Sequence, residues 1–230
     1  MNIDELFAAT ERYEASASEN HRAGSLSKTT LKKMFEIVGT DIGCSLETGC
    51  GKSTIFFSNY SKKHLAFCLD DRDMPSSSVT YFENCPAARG PRVEFVFGPT
   101  QRTLPRFEFG TPLDVVFIDG PHGYPFPDLE YYYTYPHLKK GGFLLIDDIQ
   151  IPSIARMADI LAEDRMYEVV ELIERKTLVL LRTQAPTIDP YSDSWTSQAY
   201  NLRRWYKNPQ RHLVDGKMRP SFLDLYVPKS

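Results

Sequence analysis

Three aspartates and one histidine set the chemistry that this chain could carry. Asp119 and His122 stand three residues apart in IDGPHGY, and Asp147 and Asp148 adjoin in LLIDD, each group closing a short apolar run. Such runs read as strands of a parallel sheet, whose carboxyl ends open into the crevice where these folds bind ligands. Three carboxylates brought together there raise each other's pKa unless a cation lies between them, and a hard divalent ion with oxygen ligands is the natural answer. Magnesium is the expected ion at Asp119, Asp147 and Asp148, with manganese or calcium as substitutes. The plainer alternative is that Asp147 and Asp148 cap the next helix while Asp119 supports a turn with Gly120. His122 lies on the loop leaving its strand, and an imidazole of ordinary pKa, about 6.5, suits proton removal at neutral pH. His21, His64, His137 and His212 have no comparable surroundings and read as structural.

A glycine turn supplies the second signal. LETGCGKST, residues 46–54, follows the first apolar run and opens the next helical stretch. Backbone N–H groups at such a turn face a ligand, and its glycines admit close approach. GKST also ends the nucleotide-binding loop G-x-x-x-x-G-K-[ST], but the first glycine of that motif would fall on Leu46. The spacing therefore speaks against a phosphate cradle, while an ordinary tight turn stays open. Asp70 ends the second apolar run about twenty residues on, where a carboxylate can accept the hydroxyl protons of a ribose. Asp71 competes with it, and a solvated acid in the run DDRD is the plainer alternative.

These residues need a sheet to hold them. From residue 43, short apolar runs alternate with amphipathic segments, the signature of repeated β-α units. Strands are expected at 44–48, 64–70, 93–98, 114–120 and 142–148, each nearly continuously apolar, as in strands covered on both faces. Helices are expected near 52–60, 76–85, 100–106, 126–139 and 153–165, the fourth carrying Tyr131, Tyr132 and Tyr133 as packing residues. Two more strands, 167–173 and 177–183, are separated only by Glu174, Arg175 and Lys176, which suits an antiparallel hairpin. The expected fold class is α/β, a doubly wound, Rossmann-like, mostly parallel seven-stranded sheet with a C-terminal antiparallel hairpin. Residues 1–40 read as N-terminal helices, with Ser27 as an N-cap before Leu31, Met34, Phe35 and Val38. Residues 41–183 would form the core. Residues 184–230, rich in Pro, Tyr, Ser and Arg, would form a tail with one helix at SWTSQAYNLRRWY, packing on the core, covering the site or joining another subunit in a homo-oligomer.

Bulk properties narrow the partners. The 230 residues, 42% hydrophobic and 25% charged, suit one globular core, and no stretch approaches the roughly 20 apolar residues of a membrane span. A net charge of −3 without a basic stripe gives no footprint for nucleic acid, so a small-molecule partner is expected. The acidic N-terminus does not read as a secretion signal, and a cytoplasmic location is expected. Cys44, Cys50, Cys68 and Cys85 show no Cys-x-x-Cys spacing and read as reduced thiols.

The ordered set ETGCGKST, CLDD, DVVFIDGPHGY and LKKGGFLLIDD resembles the class I S-adenosylmethionine-dependent methyltransferases, especially their metal-dependent small-molecule O-methyltransferases, over roughly residues 40–183. The resemblance implies that the glycine turn receives the methionine part of the cofactor and that the second-strand acid holds its ribose. Glu47, Gly49, Gly51 and Asp70 would take those roles, with Thr48, Ser53 and Asp71 beside them. Gly98, Pro99 and Thr100 would approach the adenine, and Asp119 would border the cofactor. In catechol-type and macrolide sugar-type relatives, an acid after the fourth strand and an acid pair after the fifth hold Mg²⁺, as Asp119, Asp147 and Asp148 would. The catechol type has a lysine three residues past the first metal acid; His122 matches the histidine of the sugar-methylating type. The implied activity is methylation of a hydroxyl on a sugar, phenol or natural product, with Asp119 and His122 catalytic. A metal-independent methyltransferase, a cofactor-binding module without turnover and a P-loop nucleotide hydrolase are the rival readings.

Overall fold

A computed structural model of the chain describes residues 1–16, 26–205, 213–214 and 217–218. His21, His212 and most of the tail beyond 205 lie outside the described residues. Seven strands form the central sheet: β1 (Ile42–Thr48), β2 (Ser61–Cys68), β3 (Val93–Phe97), β4 (Leu113–Ile118), β5 (Leu138–Ile146), β6 (Tyr167–Ile173) and β7 (Thr177–Arg182). Their order is β3-β2-β1-β4-β5-β7-β6. The first five are parallel, and β7 runs antiparallel to both β5 and β6. The strand order turns about between β1 and β4, so their carboxyl ends flank the crevice where a doubly wound sheet binds its ligand.

Side-chain alternation covers both faces. Val116 and Ile118, Leu144 and Ile146, and Leu178 and Leu180 point to one apolar layer, while Val115 and Phe117, Leu145, and Val179 point to the other. The first layer is completed by α6 (Phe126–Thr134) and α7 (Pro152–Ala162). The second is completed by α1 (Ile3–Ser16), α2 (Lys28–Val38), α3 (Lys52–Tyr60) and α4 (Ser78–Asn84). Ser27 caps α2, its hydroxyl accepting from the Thr30 N–H at 2.9 Å. A one-turn helix, α5 (Thr100–Thr103), follows β3, and α8 (Ala199–Trp205) ends the continuously described chain.

Several expected boundaries move. β3 lies at an edge, so Glu94 and Phe97 are exposed rather than covered on both faces. β5 begins at Leu138, four residues earlier than its apolar run, because Lys139 to Gly142 continue the strand in spite of their polarity. This shortens α6, which ends at Thr134 just before Pro136 at the start of a 3₁₀ turn. The tail segment packs on the α6 side: the Tyr135 and Tyr132 hydroxyls donate to the carbonyls of Ile188 and Pro190, and Trp195 lies edge-on to Tyr135. Among the described residues, no helix is long and apolar enough to cross a membrane.

Candidate active site

The turn after β1 is the floor of the site. Gly49 has φ +119°, its N–H donates to the Phe67 carbonyl at 2.8 Å, and a Cβ on it would lie 2.8 Å from the Asp119 carbonyl oxygen. Only glycine suits that position. Glu47 and Thr48, expected at the cofactor, hold the turn from below. The buried Glu47 carboxylate accepts from the hydroxyls of Ser53, at 2.7 Å, and Thr54, and meets His64 Nε2 at 3.1 Å. His64 is fixed in turn by Ser45 and by stacking on Phe57, which gives this structural histidine a defined task. The Thr48 hydroxyl accepts from the Asp119 N–H at 3.1 Å, tying the ends of β1 and β4.

Above this floor opens a cavity of about 670 Å³, within the range of small-molecule sites. Gly49, Cys50, Gly51 and Ser53 line it from the turn, and Gly98, Pro99, Thr100 and Gln101 from the β3 side. Asp119, His122 and Asp148 line it from the loops that follow β4 and β5. Gly51 takes an extended conformation, and a Cβ there would meet no atom within 4 Å. The space that its side chain would have taken belongs to the cavity.

The two candidate ribose acids part company. Asp71 borders the cavity, but its oxygens accept from the Ser77 hydroxyl and from the Ser78 and Val79 N–H groups at the start of α4. Burial pushes its carboxyl up, yet these donors outweigh burial and hold it below the ordinary range. Asp70 is exposed outside the cavity wall and pairs with Arg72 at 2.7 Å. Cys68 and Leu69, just before it in the chain, line the cavity.

A buried carboxylate missed in the sequence lies beneath the wall. Glu130 of α6 accepts from the hydroxyls of Thr48, at 2.8 Å, and Thr100, at 2.7 Å. A Cβ at Gly120 would collide with its carboxylate. Burial pushes its carboxyl up to about 7, against the lowering effect of the two hydroxyl donors. Inside the aromatic run LEYYYT nothing marks this residue, because its partners lie 30 and 82 positions away.

The acidic strand ends are brought together unevenly. Asp119, His122 and Asp148 offer donor atoms within 4.8 Å of one another. His122 Nε2 lies 3.0 Å from Asp148 Oδ2. Asp147, expected as a third metal ligand, turns into the protein: its Oδ1 accepts from the Thr177 hydroxyl, and Lys176 Nζ stands 2.9 Å from its Oδ2. The same ammonium is 3.3 Å from Asp148 Oδ1. Burial holds the Asp119 carboxyl well above the ordinary range, reinforced by the negative charges of Asp147, Glu47 and Asp148 and opposed by Lys176. Lys52, the lysine of the decoy GKST, points to Glu14 of α1 at 2.7 Å.

The parallel sheet with its reversed C-terminal hairpin and a glycine turn at the point where strand order reverses is the class I methyltransferase fold. Solved structures agree. A Podospora anserina methyltransferase bound to S-adenosylhomocysteine superposes with a TM-score of 0.59 at 16% identity, over 79% of this chain and 88% of that one. An O-methyltransferase of tomaymycin synthesis from Streptomyces achromogenes, solved with S-adenosylmethionine, gives 0.55 at 15% identity over 79% and 89%. A Bacillus cereus O-methyltransferase in complex with S-adenosylhomocysteine gives 0.55 at 15% over 78% and 90%. No curated protein gives a significant match. Residues 46–149 match a family model described as a methyltransferase domain.

Proposed function

We propose that the protein transfers a methyl group from S-adenosylmethionine to a hydroxyl of a small molecule, with His122 as the base and Asp148 as the group that orients it. The observation that carries this reading is the 3.0 Å contact of His122 Nε2 with Asp148 Oδ2 on the wall of the glycine-floored cavity. Gly49, Gly51 and Ser53 would hold the methionine part of the cofactor, Asp71 the ribose, and Gly98 and Thr100 the adenine side, while Asp119 closes the wall next to Gly49. The open space at Gly51 supports that fit. The cofactor, when bound, supplies a methyl group already activated by its positive sulfur.

The protein's own work is then to align a nucleophile and remove its proton, and orientation contributes most. With Nε2 engaged by Asp148, a neutral imidazole keeps Nδ1 as its accepting nitrogen. That nitrogen takes the acceptor's hydroxyl proton, and the adjacent carboxylate stabilises the imidazolium that forms. His122 is exposed, with 44% of its side chain open, so an acceptor can reach it from solvent.

The magnesium ion implied by the resemblance would draw on Asp119, His122 and Asp148 and would polarise an acceptor oxygen as a Lewis acid. The residues fit that ion only in part, since Asp147 is engaged by Thr177 and Lys176. Proton removal as proposed here runs through His122 and Asp148 alone. The test is release of S-adenosylhomocysteine across a panel of sugars and phenols. An acceptor should be found whose turnover drops at least about a hundredfold in His122→Ala, the usual share of a general base; near-normal rates in that variant across pH 6 to 8 would remove His122 from the chemistry.

A further inference from the structure

The β6–β7 hairpin places a positive charge where the resemblance expects a metal. Its turn is closed by the Lys176 N–H donating to the Ile173 carbonyl at 2.9 Å, and Glu174 and Arg175 both take positive φ, near +50°, the sign required by the tight turns that suit strand twist. The hairpin is then locked to the loop after β5. The Ile149 N–H donates to the Lys176 carbonyl at 3.0 Å, and Thr177, next in the chain, donates its hydroxyl to Asp147. On the far side, Glu174 accepts from the Thr30 hydroxyl at 2.6 Å and from Ser27, fixing the hairpin to the start of α2. These contacts hold the Lys176 backbone beside the two aspartates, and its Nζ reaches both, at 2.9 and 3.3 Å.

We infer that Lys176 is the resident cation of the site: its ammonium compensates Asp147 and Asp148 in place of a divalent ion and keeps Asp148 available to orient His122. The inference rests on the functional reading above for the role of His122, but its electrostatic part stands separately. Asp147 is 1% exposed, and among the described residues its Oδ2 receives no aligned hydrogen bond. A buried carboxylate in that state needs a charge partner, and among the described residues Lys176 is the cation in contact with it. An ion entering between the aspartates would have to displace an ammonium that is already paired with both. A tethered monovalent cation also leaves the His122–Asp148 contact intact, whereas an ion on Asp119, His122 and Asp148 would take the imidazole nitrogen as a ligand. Lys176 is on this account a positioning residue.

The test uses the whole chain, stripped with EDTA and returned to chelator-free buffer, with free Mn²⁺ read by electron paramagnetic resonance. Wild type and Lys176→Arg should show no Mn²⁺ binding below about 1 mM, because the charge is already matched. Lys176→Met should bind Mn²⁺ at least about tenfold more tightly than wild type, and adding Asp148→Asn should remove that gain. Micromolar Mn²⁺ binding by the wild type overturns the inference. So does a Lys176→Met protein, or Lys176→Gln should the first not fold, that binds Mn²⁺ no better than wild type. Calorimetry with S-adenosylhomocysteine on the same samples separates the two claims. Failure of the wild type to bind it overturns the cofactor reading, while the Mn²⁺ series decides the role of Lys176.

Discussion

At the scale of residues, the two glycines of the turn have different duties and should respond differently to the same change. Gly49→Ala forces a side chain into a positive-φ conformation and against the Asp119 carbonyl. It should lose about 1–3 kcal/mol of stability in urea unfolding, the usual range for such backbone strain. Gly51→Ala meets no protein atom, so stability should stay within about 0.5 kcal/mol of wild type. Its affinity for S-adenosylmethionine, by calorimetry, should fall, because the methyl enters the cavity. Equal effects of the two changes on stability would contradict this division. Glu130 makes a prediction in pH. Burial raises its carboxyl to about 7 from an ordinary 4.5, so the folded protein binds that proton more tightly than the unfolded chain. Its contribution is complete below the ordinary value and is lost as pH rises through about 7. Glu130→Gln lacks this titration. The Tm of wild type should therefore fall relative to the variant between about pH 5 and pH 8, with a ceiling on the order of 3 kcal/mol. A Tm difference independent of pH would refute the raised carboxyl.

At the scale of elements, most of the frame was legible because buried parallel strands leave unbroken apolar runs in the sequence. The hairpin was legible too, since three polar residues between two such runs leave few alternatives. What escaped depended on distance along the chain. Lys176 looked like one turn residue among three, and only the packing of the hairpin on the β5 loop shows that it faces Asp147 and Asp148. Asp70 followed its strand at the expected spacing, but Asp71 is the acid that turns to the cavity wall, while Asp70 turns out to Arg72. The cap of α2 is an element-scale device: Ser27 serves the Thr30 N–H and reaches Glu174 in the hairpin. Ser27→Ala should lower stability by about 1 kcal/mol in urea unfolding, the common cost of losing such a cap. A change below about 0.3 kcal/mol would mean that the contact is replaced by solvent.

At the scale of the molecule, the functional side chains collect at the carboxyl ends of β1, β4 and β5, and the helices cover the two faces of the sheet beneath them. The parallel sheet needs that double cover, which is why the N-terminal helices are part of one apolar layer rather than an appendage. The same sequence, GKST, that suggests a phosphate-binding loop sits in a fold where Leu46 is buried in β1 and Lys52 is drawn to Glu14. The central claim is that the glycine-floored cavity receives S-adenosylmethionine. Isothermal titration of the whole chain with S-adenosylhomocysteine and, separately, with ATP tests it most directly. One molecule of S-adenosylhomocysteine should bind per chain and ATP should not; binding of ATP without binding of S-adenosylhomocysteine would contradict the account.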